Sequence, residues 1–190
     1  MSALGTIGKI VRSSLSRGGA RKSKKSPAPE LEKGTFDYIR EPKSDCFSVG
    51  FAKTDVMPDD MDKTAYYVAG YRMNNPAKGV LDPMTASAVW IDDLSGRGGV
   101  VFVSIDDIGL TNYDVGIIRD LLADFKKESG CRSINIMSIH NHASIDTVGL
   151  WGPLPRSGRN KKYMELLAQK VKQVVFDAYN DRRDGDLYYG

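Results

Sequence analysis

Cysteine and histidine are scarce in this chain, which contains two of each among its 190 residues. Cys46 and Cys131 are too few for a disulfide framework, and their spacing matches no metal-binding motif. Cys131 follows Gly130 at the start of a predicted strand, where we expect a small packed side chain. No apolar run approaches the ~20 residues that a membrane-spanning helix requires. The sequence therefore predicts a soluble protein, by default a cytoplasmic one.

Acidic residues are absent from residues 1–29, which carry seven lysines and arginines. Because the whole chain has a net charge of +3, removing those seven charges leaves −4 for the remainder. The Ser, Gly, Lys and Arg composition predicts a disordered basic tail over residues 1–34. Three roles stay open for it: a solvated tail, an organelle transit peptide, or a contact with an anionic membrane. Nucleic-acid binding is not expected, since no aromatic residue is interleaved with these cations.

The remaining residues, 35–190, have the length of a single domain. Apolar alternation and clustering predict strands, and apolar residues at helical spacing predict helices. The predicted strands cover residues 47–51, 65–71, 85–91, 99–105 and 133–140, and the predicted helices cover 113–128 and 159–180. A glycine-rich turn joins the third and fourth strands into a hairpin over 85–105. The strand–helix–strand order over 100–140 predicts a parallel βαβ unit. We therefore expect an α/β fold with a mixed sheet flanked by helices.

Both histidines, His140 and His142, lie where the predicted strand at 133–140 runs into a loop. Residues i and i+2 of an extended backbone point to the same side, so the two rings are expected to converge. Ligands gather at the carboxyl ends of strands in open α/β sheets. Imidazole is a common metal ligand and an acid–base group near neutral pH. A functional site is one interpretation, and hydrogen-bonded structural histidines are the other.

Two aspartates, Asp106 and Asp107, end the other strand of the parallel unit and should share this edge with His140. A carboxylate there can accept the second N–H of a metal-bound imidazole and so orient the ring. Asp106 is the better candidate for this role. It can equally cap the helix that begins near Thr111, or be solvated. Asp146 is open in the same way, since an Asp-Thr pair also makes turns.

Four segments of the chain resemble, in order, the amino-terminal portion of neutral/alkaline ceramidases. The last of them in the chain is Ile139-His140-Asn141-His142-Ala143-Ser144, leading to Asp146-Thr147 and Gly149-Leu150-Trp151-Gly152. It is similar to the family's His-Thr-His-Ser/Ala-Gly-Pro region. The others are residues 47–58, 79–92 and 100–109. Asn141 stands where the family has threonine, and residues 143–146 differ from its Ser/Ala-Gly-Pro-Gly run. The resemblance covers about residues 45–190.

The resemblance implies a zinc-dependent amidase that splits a sphingolipid amide into a fatty acid and an amino alcohol. It assigns zinc binding to His140 and proton transfer beside the reacting groups to His142. The family takes its other zinc ligands, a histidine, a glutamate and a tyrosine, and its nucleophilic serine from later sequence. Residues 35–190 are then expected to be part of a larger catalytic domain, inactive without its carboxyl-terminal portion. The alternative is a binding or structural module that keeps the fold without a complete metal site.

Overall fold

A computed structural model describes residues 38–43 and 45–188, so the predicted tail at 1–34 lies outside the described residues. The described part contains a five-stranded sheet and three helices. The strands are β1 (Phe47–Asp55), β2 (Thr85–Asp92), β3 (Val100–Ile105), β4 (Ser133–Ser138) and β5 (Arg183–Gly185). The helices are α1 (Asn112–Leu121), α2 (Ala123–Ser129) and α3 (Lys161–Asn180).

The sheet is mixed, with the strand order β4-β3-β2-β1-β5. β3 and β4 are parallel, with Val103 opposite Ile136, and the other neighbouring pairs are antiparallel. The predicted α/β class, the parallel unit and the hairpin are therefore confirmed. Gly99 closes the hairpin's turn, and a side chain there would overlap the ring of Trp90. This overlap explains why the turn requires glycine.

The two faces of the sheet are covered differently. One face carries fully buried small and aliphatic residues, together with Trp90. The helix α3 packs on this face, against β1, β2 and β3, through a buried stripe. That stripe consists of Tyr163, Leu167, Ala168, Val171, Val174, Val175 and Ala178. On the other face of the sheet the alternate residues are at least partly exposed. The name open face is used here for six apolar residues of this face on β1, β2 and β3: Val49, Phe51, Val89, Ile91, Val100 and Phe102.

Three element predictions need correction. Residues 65–71 do not form a strand but make two isolated bridges, Tyr67 with Pro76 and Val68 with Ile145, before Gly70 turns the chain at φ 119. The helix predicted at 113–128 is divided between α1 and α2. Leu122, at φ −104 and ψ 7, leaves helical geometry there while its side chain is fully buried. β4 ends at Ser138, two residues before the predicted boundary.

None of the described helices is long and apolar enough to cross a membrane.

Candidate functional site at the carboxyl edge of β3 and β4

The backbone after β4 crosses the end of β3 and carries both histidines. The N–H of Ile139 donates to the carbonyl of Ile105 at 3.1 Å, and the N–H of Asn141 donates to that of Asp107 at 3.2 Å. His140 lies between these bonds at φ 60, the left-handed region, which a non-glycine residue adopts only at a cost. The predicted shared edge is therefore present. The rings do not converge through an extended backbone, however, because the strand has already ended.

The two imidazoles nevertheless converge. Their centroids are 5.1 Å apart, and Nε2 of His142 lies 3.4 Å from Nε2 of His140. Nδ1 of His140 lies 2.7 Å from the carbonyl oxygen of Ile108. A carbonyl can only accept, so Nδ1 carries the proton and the Nε2 of a neutral His140 carries a lone pair. Across the 3.4 Å contact, Nε2–H of His142 is then the donor, and its Nδ1 is the acceptor nitrogen.

Residues 69–71 form a wall beside His142. Gly70 is so close to this histidine that a Cβ at Gly70 would lie 2.6 Å from its Cβ and 2.7 Å from its Cγ. The ring of Tyr71 meets the imidazole edge-to-face, with centroids 4.7 Å apart and planes at 60°. The indole N–H of Trp151 donates to the carbonyl of Gly70 and ties this wall to the loop after the histidines.

Asp146 organises that loop. It is fully buried, and its carboxylate accepts the backbone N–H groups of Val148, Gly149 and Trp151 at 3.1, 2.6 and 2.8 Å. The role left open by the sequence is therefore a turn that fixes Trp151. A side chain at Gly158 would clash with this carboxylate. These hydrogen bonds and this close packing make the loop a support for the site.

The aspartate pair at the end of β3 divides into two environments. The carboxylate of Asp106 accepts from the N–H of Thr85 at 2.8 Å and from its hydroxyl at 2.6 Å. Nδ1–H of His140 donates to the backbone carbonyl of Ile108, which takes the accepting role that was one of the candidate roles of Asp106. In the structure, then, Asp106 lies at the expected edge but holds β2 to β3.

Asp107 is fully buried beneath the histidine loop. Burial raises the pKa of its carboxyl to about 6, the Ser138 side chain partly counters this, and the negative charge of Asp106 adds to the rise. Neither carboxylate oxygen makes a hydrogen bond of good geometry within the described part of the chain. The carboxyl of Asp107 therefore binds a proton at a higher pH than that of an ordinary aspartate.

A partly buried ion pair joins α1 to the segment that precedes α3. Arg159 donates to both carboxylate oxygens of Asp114, and also to the carbonyl of Thr147 at 3.0 Å. Burial alone would raise the pKa of Asp114, but hydrogen bonds from Arg159 and Thr111 outweigh it and lower the pKa. Thr111 and Asp114 also form the capping box that starts α1. The pair fixes the far end of the loop that Asp146 begins.

The residues fit part of a zinc site. A ligating histidine usually donates its other ring N–H to a carbonyl or carboxylate, and His140 does so while keeping Nε2 for a ligand. A catalytic zinc usually has three protein ligands and an open position. Among the described residues, no group of three His, Cys, Asp or Glu side chains can hold a metal ion. The described part of the chain therefore brings two imidazoles together but falls short of a three-ligand zinc site.

Two solved structures of ceramidases share this fold over part of their length. The chain matches the neutral ceramidase from Pseudomonas aeruginosa with a TM-score of 0.58 and 16% identity, over 75% of this chain and 23% of that one. It matches a ceramidase complexed with C2 with a TM-score of 0.56 and 16% identity, over 75% and 22%. No protein-family model and no curated protein matches the sequence. The fold is therefore that of part of a larger ceramidase chain, of which this sequence spans less than a quarter.

Sequence reasoning missed four parts of this site: the Ile108 carbonyl, Gly70, Tyr71 and the Trp151 indole. A carbonyl leaves no trace in a sequence. Gly70 did offer a signal, because a glycine inside a run predicted as a strand often marks a close backbone approach. The exposed Tyr71 meets His142, and the indole of Trp151 meets Gly70, only through the folded chain.

Proposed function

We propose that the chain is the amino-terminal part of a ceramidase-like, zinc-dependent amide hydrolase and that it is inactive without the rest of the domain. The observation that carries the proposal is the prepared Nε2 of His140, with the second imidazole 3.4 Å away, at the sheet edge of a ceramidase-like fold. The substrate class we infer is a lipid amide, cleaved to a fatty acid and an amine.

His140 is the zinc ligand in this proposal. The hydrogen bond from its Nδ1–H to the carbonyl of Ile108 holds the ring and leaves Nε2 as the ring nitrogen that can bind the metal. When bound, zinc would polarise the amide carbonyl and lower the pKa of a bound water toward ~7. Asp106, the orienting group that the resemblance suggests, lies at the same edge, where its carboxylate is bonded to Thr85.

His142 is the proton-transfer group. Its Nε2–H lies 3.4 Å from the nitrogen that we assign to the metal, so it can deliver a proton next to that position. Binding of zinc to His140 would remove the acceptor of this N–H and leave it free for a departing amine. General acid–base help of this kind contributes about 10²–10⁴-fold to a rate.

The open face is where the rest of the domain would dock. Phe51 and Phe102 are 53% and 41% exposed on it, and they flank Val89 in one row across β1, β2 and β3. The next row toward the histidine edge is polar on β1, β2 and β3, with Lys53, Ser87 and Ser104 in register, and it ends at the exposed Met137 on β4. A covering layer would therefore pack on apolar side chains and bring polar groups toward the site. We infer that this layer is the carboxyl-terminal part of the same domain.

A non-catalytic binding or structural module is the second candidate. It is favoured by the lack of a three-ligand group within the described residues. The two candidates differ in chemistry, because a module needs the open face for docking but has no use for a prepared imidazole nitrogen.

The test is an amide-hydrolysis assay with a fluorogenic N-acyl sphingoid substrate and zinc. We expect activity from the protein in its longest natural form and none from residues 1–190 alone. His140→Ala should abolish the activity of the long form, and His142→Ala should lower it by about 10²–10⁴-fold. A long form that folds, binds the lipid amide and shows no zinc-dependent turnover would support the module instead.

Docking is tested with the double variant Phe51→Ser, Phe102→Ser. We expect it to weaken binding between residues 1–190 and the separately expressed remainder of the protein. Leu81→Ser is the matched control, because Leu81 is 96% exposed but lies outside the sheet. Equal binding by the double variant and the control would remove the open face from the proposal.

A further inference from the structure

We propose that Gly70 and Tyr71 are the positioning pair of His142, holding its imidazole so that Nε2 faces the Nε2 of His140. The placement itself is a property of this chain without metal. Only its effect on turnover rests on the proposed function.

The backbone brings the pair to the imidazole. The N–H of Ala69 donates to the carbonyl of Ser144 at 2.9 Å, and the N–H of Asp146 donates to that of Tyr67 at 2.8 Å. Residues 67–69 therefore run antiparallel to the segment that begins two residues after His142, with Val68 opposite Ile145. This pairing ends at Gly70, directly beside the ring.

Gly70 supplies a wall that no other residue can supply. Its φ of 119 is a conformation that side-chain-bearing residues rarely adopt, and a Cβ would lie 2.6 Å from the Cβ of His142. The imidazole thus packs directly on backbone. The indole of Trp151 fixes this backbone by donating to the Gly70 carbonyl, and the N–H of Asn74 donates back to the carbonyl of Trp151 at 2.9 Å.

Tyr71 is the second residue of the pair that contacts the imidazole. Its side chain is 91% exposed, so burial does not explain its position, yet its ring meets His142 edge-to-face at 4.7 Å. Polar contacts hold this imidazole weakly. Nδ1 is buried without a hydrogen-bond partner among the described residues, and Nε2 has the long 3.4 Å contact with His140. The orientation of the ring therefore depends on its packing against Gly70 and Tyr71.

Metal binding makes this dependence stronger. A zinc ion on His140 would occupy the lone pair that now accepts from His142, so the packing would then hold the proton-bearing nitrogen by itself. A misplacement of about 1 Å in such a group can cost roughly 10²-fold in rate. Tyr71 is a positioning residue in this scheme, because it acts through His142.

The experiment is NMR on residues 1–190 with labelled histidine and tyrosine. The wild type should show contacts between the Tyr71 and His142 rings and between the two histidine rings. Tyr71→Phe should keep both, because the edge of the ring makes the contact. Tyr71→Ala should lose the contact between the histidine rings, and Gly70→Ala should displace the His142 signals further. Tyr188→Ala is the control, since Tyr188 is 85% exposed and follows β5, at the opposite edge of the sheet.

A His142 ring that keeps its contact with His140 in Tyr71→Ala would overturn the proposal. Loss of the contact in Tyr71→Phe would also overturn it, because the hydroxyl would then be the holding group. Backbone amide signals of β2 and β3 report whether each variant is folded, and Tyr71→Phe decides the case if Tyr71→Ala does not fold. In the long form, Tyr71→Ala should lower kcat about 10²-fold with little change in KM. Absence of hydrolysis in the wild type would refute the proposed function and leave the NMR result standing.

Discussion

Two consecutive loops lie at one edge of the sheet: the histidine loop, with His140 and His142, and the supporting loop around Asp146. They differ in whether their buried polar atoms are hydrogen-bonded. Asp146 is fully buried and accepts three backbone N–H groups. Nδ1 of His142 is buried without a partner among the described residues. Buried polar groups are nearly always hydrogen-bonded, so an exception needs an explanation. The difference separates the loop whose polar atoms hold the fold from the loop whose polar atoms the fold does not use.

Substitutions in the supporting loop and its anchors should lower the free energy of unfolding. The loss should be largest for the pair of Asp114 and Arg159. Arg159→Ala leaves the buried carboxylate of Asp114 without its partly exposed cation, and the about 3–5 kcal/mol lost when a fully buried pair is broken is the upper bound for this cost. Urea unfolding measures this loss. Lys161→Ala is the control, because its pair with Glu165 is exposed and worth only about 0.3–0.5 kcal/mol. A loss below about 1 kcal/mol for Arg159→Ala would mean that the pair does not anchor the loop.

Asp146→Ala should have the next largest effect. It removes the acceptor of the N–H groups of Val148, Gly149 and Trp151, and each unsatisfied buried donor costs about 1–3 kcal/mol. Because solvent can reach part of the loop, we expect about 2–4 kcal/mol in urea unfolding, with a changed environment for Trp151 in fluorescence. Asp93→Ala is the matched control, an exposed aspartate with a similar short turn. Equal losses for the two variants would end the distinction between a supporting turn and an ordinary one.

Asp107→Asn should stabilise the chain near neutral pH. The folded-state pKa of Asp107, about 6, lies above its ordinary value of 3.8, so the folded state prefers the protonated form. This carboxyl therefore costs stability as the pH rises from about 4 to 6, and that cost stays constant above 6. Asparagine should regain on the order of 2–3 kcal/mol at pH 7.5 and nothing at pH 3.5, measured by urea unfolding. Destabilisation at pH 7.5 would show that the Asp107 carboxylate has a partner it needs.

The histidines should matter least for stability. His140→Ala and His142→Ala remove groups with one and no strong hydrogen bond respectively, so each should change the free energy of unfolding by about 1 kcal/mol or less. Urea unfolding of both variants beside Asp146→Ala makes the contrast directly. A histidine variant as damaging as Asp146→Ala would place the histidines with the supporting loop.

Much of the fold followed from the sequence because local patterns and chain order are enough for a βαβ unit and a hairpin. The edge that joins Asp106 to His140 followed from the parallel pairing of β3 and β4. The division of the long helix at Leu122 did not follow, since the apolar stripe continues across it. The convergence of the imidazoles was predicted from an extended backbone. In the structure, His140 instead has a left-handed φ.

The immediate neighbours of the histidines could not be predicted. The Ile108 carbonyl, the Gly70 backbone and the Tyr71 ring contact the imidazoles only because loops distant in sequence meet at one edge. Asp106 and Asp107 looked equivalent in the sequence, and burial separates them, one bonded to Thr85 and one without a good partner. Such differences arise from tertiary packing, so local sequence patterns do not predict them.

The most direct test of the metal-site proposal is the zinc content of the protein in its longest natural form, measured by mass spectrometry of metals after dialysis. We expect about one zinc per chain in the wild type, loss of the zinc in His140→Ala, and retention of most of it in His142→Ala. Residues 1–190 alone should retain little. Zinc that remains in His140→Ala at the wild-type level would contradict the assignment of the site.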